Sequence, residues 1–201
     1  MKQRGFTIIE VVIAITIMGF LLAAVMPSAG AWIRNSRLRT AAESISVGMQ
    51  QARNEAVRRN QPVGFFLVSD ADGMSMTDGC ALSSISSGWV VALASPEGKC
   101  ATDRDTFVAV RPPGDTALGL SVLAKDPLGG NATTVMFNGY GQISNATPLY
   151  CIKVSNPGDA TTRRLNIAVT AGGQIRMCDP VVAADDPRAC PPPPPGYPAC
   201  S

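Results

Sequence analysis

Histidine is absent from the 201 residues, which removes the commonest general base and the commonest metal ligand together. Charged residues amount to only 16%, too few for a disordered acidic or basic chain. The formal charge of +2 says little about partners. Cysteine is missing from the first 79 residues, and none of the six that follow forms a C-x-x-C pair. An even number at wide spacing favours disulfides over a zinc site and places the folded part of the chain in an oxidising compartment. In a bacterium that is the periplasm or the exterior, so the N-terminus has to account for a membrane crossing.

What is present fits one domain of ordinary size with an appended segment, and apolar residues at 46% supply material for a core. Met1-Lys2-Gln3-Arg4-Gly5 is short, basic and ends in glycine. An apolar run then extends from Phe6 to Met26, interrupted by Thr7, Glu10, Thr16 and Gly19 and followed by Pro27. As a helix, these 21 residues span about 31 Å, enough for a hydrocarbon core of ~30 Å. The basic flank stays cytoplasmic and everything after Pro27 lies outside. A secretory signal would carry a shorter apolar region and a small-residue cleavage site, which Ala29-Gly30-Ala31 imitates. A plain anchor fits the length but leaves Glu10 unexplained, since a carboxylate inside a membrane costs about 2.5–3.5 kcal/mol at mid-bilayer.

The string Gly5-Phe6-Thr7-Ile8-Ile9-Glu10 resembles the G-F-T-L-x-E signature of type IV pilins and type II secretion pseudopilins. The resemblance implies cleavage by a prepilin peptidase between Gly5 and Phe6, N-methylation of Phe6, and a role for Glu10 in subunit assembly. In that family the amine freed on one subunit pairs with the glutamate of another in a low-dielectric bundle, where an unpaired charge is expensive.

Beyond Pro27 the helix resumes. Leu38, Ala41, Ala42, Ile45, Met49, Ala52, Ala56 and Val57 recur at helical spacing, and Asn60-Gln61-Pro62 ends the element. Arg34, Arg37, Arg39, Arg53, Arg58 and Arg59 lie elsewhere on it, as a solvated face or one that attracts nucleic acid. Pro27 is expected as a kink within the helix. From Pro62 onward short runs punctuated by Gly, Asn and Pro read as strands: 63–68, 88–93, 106–110, 119–123, 134–138, 150–154, 164–169 and 174–178. Asn138-Gly139 and Gly172-Gly173 are hairpin signals. The expected fold is α+β: a long N-terminal helix, transmembrane in its first half, packed on an antiparallel β-sandwich-like domain stapled by disulfides. Its divisions are a leader at 1–5, a transmembrane or filament-core helix at 6–27, an amphipathic second half at 28–61, a β-rich globular domain at 62–178 and a Cys/Pro-rich extension at 179–201.

Gly88-Trp89-Val90-Val91, Val135-Met136-Phe137-Asn138-Gly139-Tyr140-Gly141-Gln142, Arg163-Arg164-Leu165-Asn166-Ile167-Ala168-Val169 and Gly173-Gln174-Ile175-Arg176-Met177-Cys178 are similar, in order, to pieces of the GspH/FimT branch. Together with the N-terminus the resemblance covers about residues 5–178. It implies a minor subunit that starts or caps a filament, in a type IV pilus or a type II secretion pseudopilus. The extra cysteines and the extension incline the reading towards pili. Some FimT-like subunits bind DNA through a G-R-x-R motif. Here Gly173-Gln174-Ile175-Arg176 matches with glutamine for the first arginine, and Arg163 and Arg164 could supplement Arg176 in salt-dependent phosphate contacts. The implied partners are other pilins through the N-terminal helix, the peptidase, the inner membrane and, on this last reading, DNA.

The tail departs from the family. Cys190 to Cys200 bracket a proline run that favours polyproline II, either a recognition loop or an inert staple. The expected disulfides are Cys80–Cys100 around the Trp89 strand, Cys151–Cys178 between C-terminal strands, and Cys190–Cys200 closing the tail. Gly139-Tyr140-Gly141 is a turn without a phosphate-binding helix. Asn131-Ala132-Thr133 and Asn145-Ala146-Thr147 match a glycosylation pattern common by chance, and Asp70, Asp72 and Asp78 lack calcium-loop spacing. No nucleophile has a histidine to activate it, so neither a catalytic site, a metal nor a cofactor is expected. A periplasmic enzyme on an anchor is favoured by nothing beyond the size of the domain. Non-reducing peptide mapping of the folded protein is expected to find all six cysteines oxidised, and any free thiol rejects a three-disulfide framework.

Overall fold

The computed structural model describes residues 7–71, 73–114, 119–158, 163–192 and 200, with the side chains of all but 23–29, 31 and 104. A single helix, α1, runs from Ile8 to Arg59 through Pro27. Thr7 caps its start. Asn60 ends it in the left-handed conformation (φ 50°), its N–H returning to the carbonyls of Ala56 and Val57, a role that asparagine accepts at little cost. Leu38, Ala41, Ala42, Ile45, Met49, Ala52 and Ala56 form one buried face. Val57, expected on the same stripe, is 51% exposed, because it follows Ala56 by one residue and so points about 100° away.

Among the described residues nine strands follow: β1 Val63–Ser69, β2 Ala81–Leu82, β3 Trp89–Ala92, β4 Phe107–Arg111, β5 Ser121–Lys125, β6 Thr134–Phe137, β7 Cys151–Ser155, β8 Leu165–Val169 and β9 Ile175–Cys178. Eight of them lie where periodicity places them, within a residue or two. The two-residue β2 is too short to leave a periodic trace. In the first sheet β1 is central, with β3 and then β4 on one side. Its other edge is shared: Val63 to Phe66 pair with β6, and Val68 and Ser69 with β2. The second sheet has the order β5-β7-β8-β9, and every pairing in both is antiparallel. α1 packs on strands of both sheets, and all three contribute to one core.

β1 is buried on both faces. Phe65 and Leu67 point into the main core, while Phe66 and Val68 join Val90, Ala92 and Met76 in a second cluster on the far side of the sheet. Loops cover that cluster, and a Cys80–Cys100 disulfide ties them together at a Cα separation of 6.1 Å. Asp78 fixes the same loops, its carboxylate accepting from the backbone N–H groups of Ala101 and Thr102. Asp70 accepts from both the N–H and the hydroxyl of Thr77. These aspartates are loop anchors, and no cluster of three metal-ligating side chains occurs among the described residues; Asp72 lies outside them.

The other two disulfides differ from expectation. Cys151 joins Cys200 and Cys178 joins Cys190, at Cα separations of 5.6 and 4.8 Å, in place of Cys151–Cys178 and Cys190–Cys200. The reason is sheet order. β8 lies between β7 and β9, with Ala168 opposite Cys151 and Asn166 opposite Cys178. Two strand spacings of ~4.8 Å hold the expected partners beyond the ~7 Å reach of a disulfide. The extension is therefore a strap bonded to the second sheet and not a loop closed on itself. Asp179 donates its N–H to the Arg188 carbonyl, and the buried Asn166 amide donates to the carbonyl of Cys200.

Both hairpin signals become turns, and the two turns meet. Arg53 of α1 donates from Nε to the Gly141 carbonyl at 3.0 Å, and Ile143 donates its N–H to the Ala171 carbonyl. Gly173 has φ +77°, and a Cβ there would lie 1.9 Å from the Gly141 oxygen. This contact joins the two sheets at the C-terminal end of α1. Gly173→Ala is expected to lower the unfolding free energy by at least ~2 kcal/mol, from the left-handed backbone and the collision together. Gly172→Ala, whose added carbon meets nothing nearer than 4.0 Å, is expected to stay within about 0.5 kcal/mol in the same denaturation experiment.

Candidate assembly surface

Among the described residues, nothing covers the start of α1. Ile8, Ile9, Val11, Val12, Ile13, Ile15, Ile17, Met18, Phe20, Leu21 and Leu22 are all exposed. They point in every direction around the helix, and an element apolar all round requires lipid or other helices as its surroundings. Polar atoms here are satisfied locally. Thr16 donates its hydroxyl to the Val12 carbonyl at 2.7 Å. Among the described residues no helix is long and apolar enough to cross a membrane; the expected span at 6–27 begins outside them at Phe6, and the side chains of 23–29 are likewise outside. So are the expected cleavage pair Gly5 and Phe6.

Glu10 is the one carboxylate in this half. Thr7 and Glu10 form a reciprocal capping box. One carboxylate oxygen, Oε2, accepts from the Thr7 N–H at 2.9 Å and from its hydroxyl at 2.8 Å, and the Thr7 hydroxyl accepts from the Glu10 N–H. Both bonds fall on Oε2, and Oε1 accepts none among the described residues. The box therefore holds the side chain in one orientation at the positive end of the helix while leaving Oε1 without a donor among the described residues.

The arginines considered for nucleic acid are dispersed or engaged. Arg163 donates its N–H to Asn35 and places Nε 3.8 Å from the Asp179 carboxylate. Arg176 sits opposite Ala168 on β8, four residues along the strand from Arg164, or ~13 Å. Its Nη2 is taken by the carbonyls of Pro187 and Ala189 in the strap. On α1, Arg39 pairs with Glu43, Arg53 holds the Gly141 carbonyl, and Arg58 and Arg59 both bond the Glu55 carboxylate.

One feature escaped sequence reasoning. Where α1 enters the domain, a cleft of ≈ 680 Å³ opens between the helix, the ends of β8 and β9, and the strap. Trp32 stands at its edge, Leu165 and Met177 form its apolar wall, and Arg39, Arg163 and Arg188 supply its cations. The only sequence signal was an aromatic residue just after the apolar run.

The described residues thus present an exposed apolar helix with an oriented carboxylate in its first turn, joined to a two-sheet domain. A model of the prokaryotic N-terminal methylation motif matches residues 1–26, and a model described as type II transport protein GspH matches residues 41–173. The chain belongs to the GspH family of pilin-like proteins. Two crystal structures of the type IV minor pilin FimU from Pseudomonas aeruginosa PAO1 are similar at 15% identity. The P21 form has a TM-score of 0.47 and covers 71% of this chain and 88% of its own. The P65 form has a TM-score of 0.46 and covers 69% and 90%. No curated protein matches the chain in sequence.

Glu55 gives the domain a measurable acid limit. Hydrogen bonds from the Arg58 guanidinium, then from Arg59, hold its carboxyl at about 2, below the usual 4.5. A lowered folded-state value stabilises the fold above the unfolded value, and that contribution is lost as pH falls towards the folded one. Stability is therefore expected to drop between about pH 4.5 and pH 2. Glu55→Gln should be less stable at pH 7 and lose part of that step in acid-denaturation curves.

Proposed function

We propose that the protein is a minor pilin, cut by a prepilin peptidase between Gly5 and Phe6, methylated on the new N-terminus at Phe6, and assembled through α1 at or near the tip of a type IV pilus. The observation that supports this reading is the exposed apolar run Ile8–Leu22 of α1, with the Glu10 carboxylate held in the first turn through Oε2 and Oε1 accepting no hydrogen bond among the described residues. Before assembly that half is the inner-membrane anchor and the disulfide-bonded domain lies in the periplasm. During assembly the freed amine of a neighbouring subunit bonds Oε1 of Glu10. In a water-poor helix bundle an unmatched amine or carboxylate costs several kcal/mol, so the pair selects one axial register. The three disulfides and the strap incline the assignment to the pilus over the secretion pseudopilus, where the same chemistry applies.

Two measurements test it. Mass spectrometry of protein from peptidase-competent cells is expected to show a chain that begins at methylated Phe6. A chain that still begins at Met1, or one cut near Ala31, refutes the proposal. Glu10→Ala is expected to be cleaved normally, yet recovered in sheared filaments at a level at least tenfold lower, as a loss of ~1.4 kcal/mol or more dictates.

A further inference from the structure

Two of the three disulfides are nested. Cys178 pairs with Cys190 inside the 49-residue separation that Cys151–Cys200 closes, whereas Cys80 and Cys100 are neighbours in the order of cysteines. The four cysteines of the second sheet and the strap therefore do not pair in the order in which they occur. A chain that crosses a membrane N-terminal end first presents Cys178 to Cys151 before Cys190 or Cys200 has arrived. The in-order bonds, Cys151–Cys178 and Cys190–Cys200, also close shorter loops than Cys151–Cys200 does, so they cost less entropy before any sheet has formed.

The fold forbids that outcome. β8 lies between β7 and β9, with Ala168 opposite Cys151 and Asn166 opposite Cys178. A Cys151–Cys178 bond and the second sheet therefore exclude one another. A chain oxidised in order is trapped short of the native sheet, and it lacks the means to escape. Disulfides exchange by attack of a thiolate on a bonded sulfur, and six cysteines in three bonds leave no thiol within the chain to begin it. Nor can correction wait for the finished domain. Cys151, Cys178 and Cys200 are 3%, 2% and 8% exposed, and the buried Asn166 amide holds the Cys200 carbonyl.

We infer that the domain is a substrate of a thiol–disulfide isomerase, a partner whose reactive thiolate corrects the pairing before the strap closes. The inference rests on the proposed delivery of the domain to the periplasm and adds a maturation step to it. The isomerase thiolate attacks Sγ of Cys178, forms a mixed disulfide there and releases the Cys151 thiolate. Cys151 then attacks Sγ of Cys200, which makes Cys151–Cys200 and frees the Cys190 thiolate. Cys190 attacks Sγ of Cys178, completing Cys178–Cys190 and returning the isomerase thiolate. Two disulfides become two others, so no electron is gained or lost and no oxidant is consumed. β8 gives the exchange its direction, since only the second pairing is compatible with the sheet.

The full chain tests this when it is produced in bacteria with and without their periplasmic disulfide isomerase and mapped as non-reduced peptides. Four cysteines allow three pairings, so uncorrected random oxidation leaves about a third of chains native at these positions. Without the isomerase the Cys151–Cys200 peptide is accordingly expected to fall about threefold or more. Cys151–Cys178 should appear in its place, with Cys80–Cys100 unchanged as the in-order control. Cys178→Ala/Cys190→Ala leaves only in-order pairs, and its Cys151–Cys200 bond is expected to form equally in both cells, whether or not the domain folds. Native pairing at equal yield in both cells overturns the inference, because the sheet then places the cysteines before they oxidise. A double variant that still needs the isomerase overturns it too. Six free thiols in both cells overturn the periplasmic location as well.

Discussion

Where a side chain on Gly48 would be, the structure has the indole of Trp89. A Cβ there would sit 2.8 Å from the Trp89 ring and 2.9 Å from that of Phe65. One turn earlier on α1 the Ser44 hydroxyl accepts from Trp89 Nε1 at 3.1 Å, and the two rings lie tilted with centroids 5.8 Å apart. Ala41, Ala42, Ala52 and Ala56 extend the small-residue face on either side. Small side chains let the helix axis approach the sheets closely, so that Phe65, Trp89, Ile152 and Ile167 supply the volume from the strands. The rest depends on this contact. α1 is one continuous helix, so whatever fixes its second half on the sheets also bears on how the first half leaves the domain.

A second constraint closes the opposite end. The Arg53–Gly141 bond and the Gly141–Gly173 approach bring the turn of each sheet to the last turns of α1. Without them the sheets would be joined mainly by apolar packing, which is non-directional; the hydrogen bond and the side-chain-free turns give it one geometry. The strap extends the same logic to the chain end. Its disulfides to β7 and β9 restrict the unfolded ensemble, worth about 2–4 kcal/mol each in small domains, and they place Arg188 beside the cleft.

Much of this was legible in residue order because the determinants are local. The buried stripe of α1 follows from helical spacing, its end from Asn60-Gln61-Pro62, and the turns from Asn138-Gly139 and Gly172-Gly173. The disulfides show where local reading ends. Cys80 and Cys100 flank one strand, so loop closure alone proposes their pairing. Cys151 and Cys178 are on strands with a third strand between them in sequence, and because β8 also lies between them in the sheet the bond cannot form. Strand order is a non-local fact, and so is the cleft: Trp32, Arg163 and Arg188 are brought to one end by the packing of helix, sheet and strap. Arg176 illustrates the same limit from the other side. Its motif position says nothing of the strap carbonyls that occupy its guanidinium.

On the proposed function, the two halves of α1 make one secondary structure serve two solvents. Ile8 to Ile17 is dense in β-branched residues arranged all round, which lowers intrinsic helix propensity in water. In hydrocarbon the penalty for a broken backbone hydrogen bond outweighs that deficit. Leu38 to Ala56 places small residues on one face only, where a folded domain, not lipid, covers them. The change in pattern falls near Trp32. On the proposed function, a subunit that leaves a membrane to enter a filament changes only what surrounds the first half of the helix. Glu10 is then the residue in that half for which the change is not neutral, since the proposed pairing gives its carboxylate an amine inside the bundle. On that reading the electrostatic term that makes the residue costly in an isolated helix favours the assembled one.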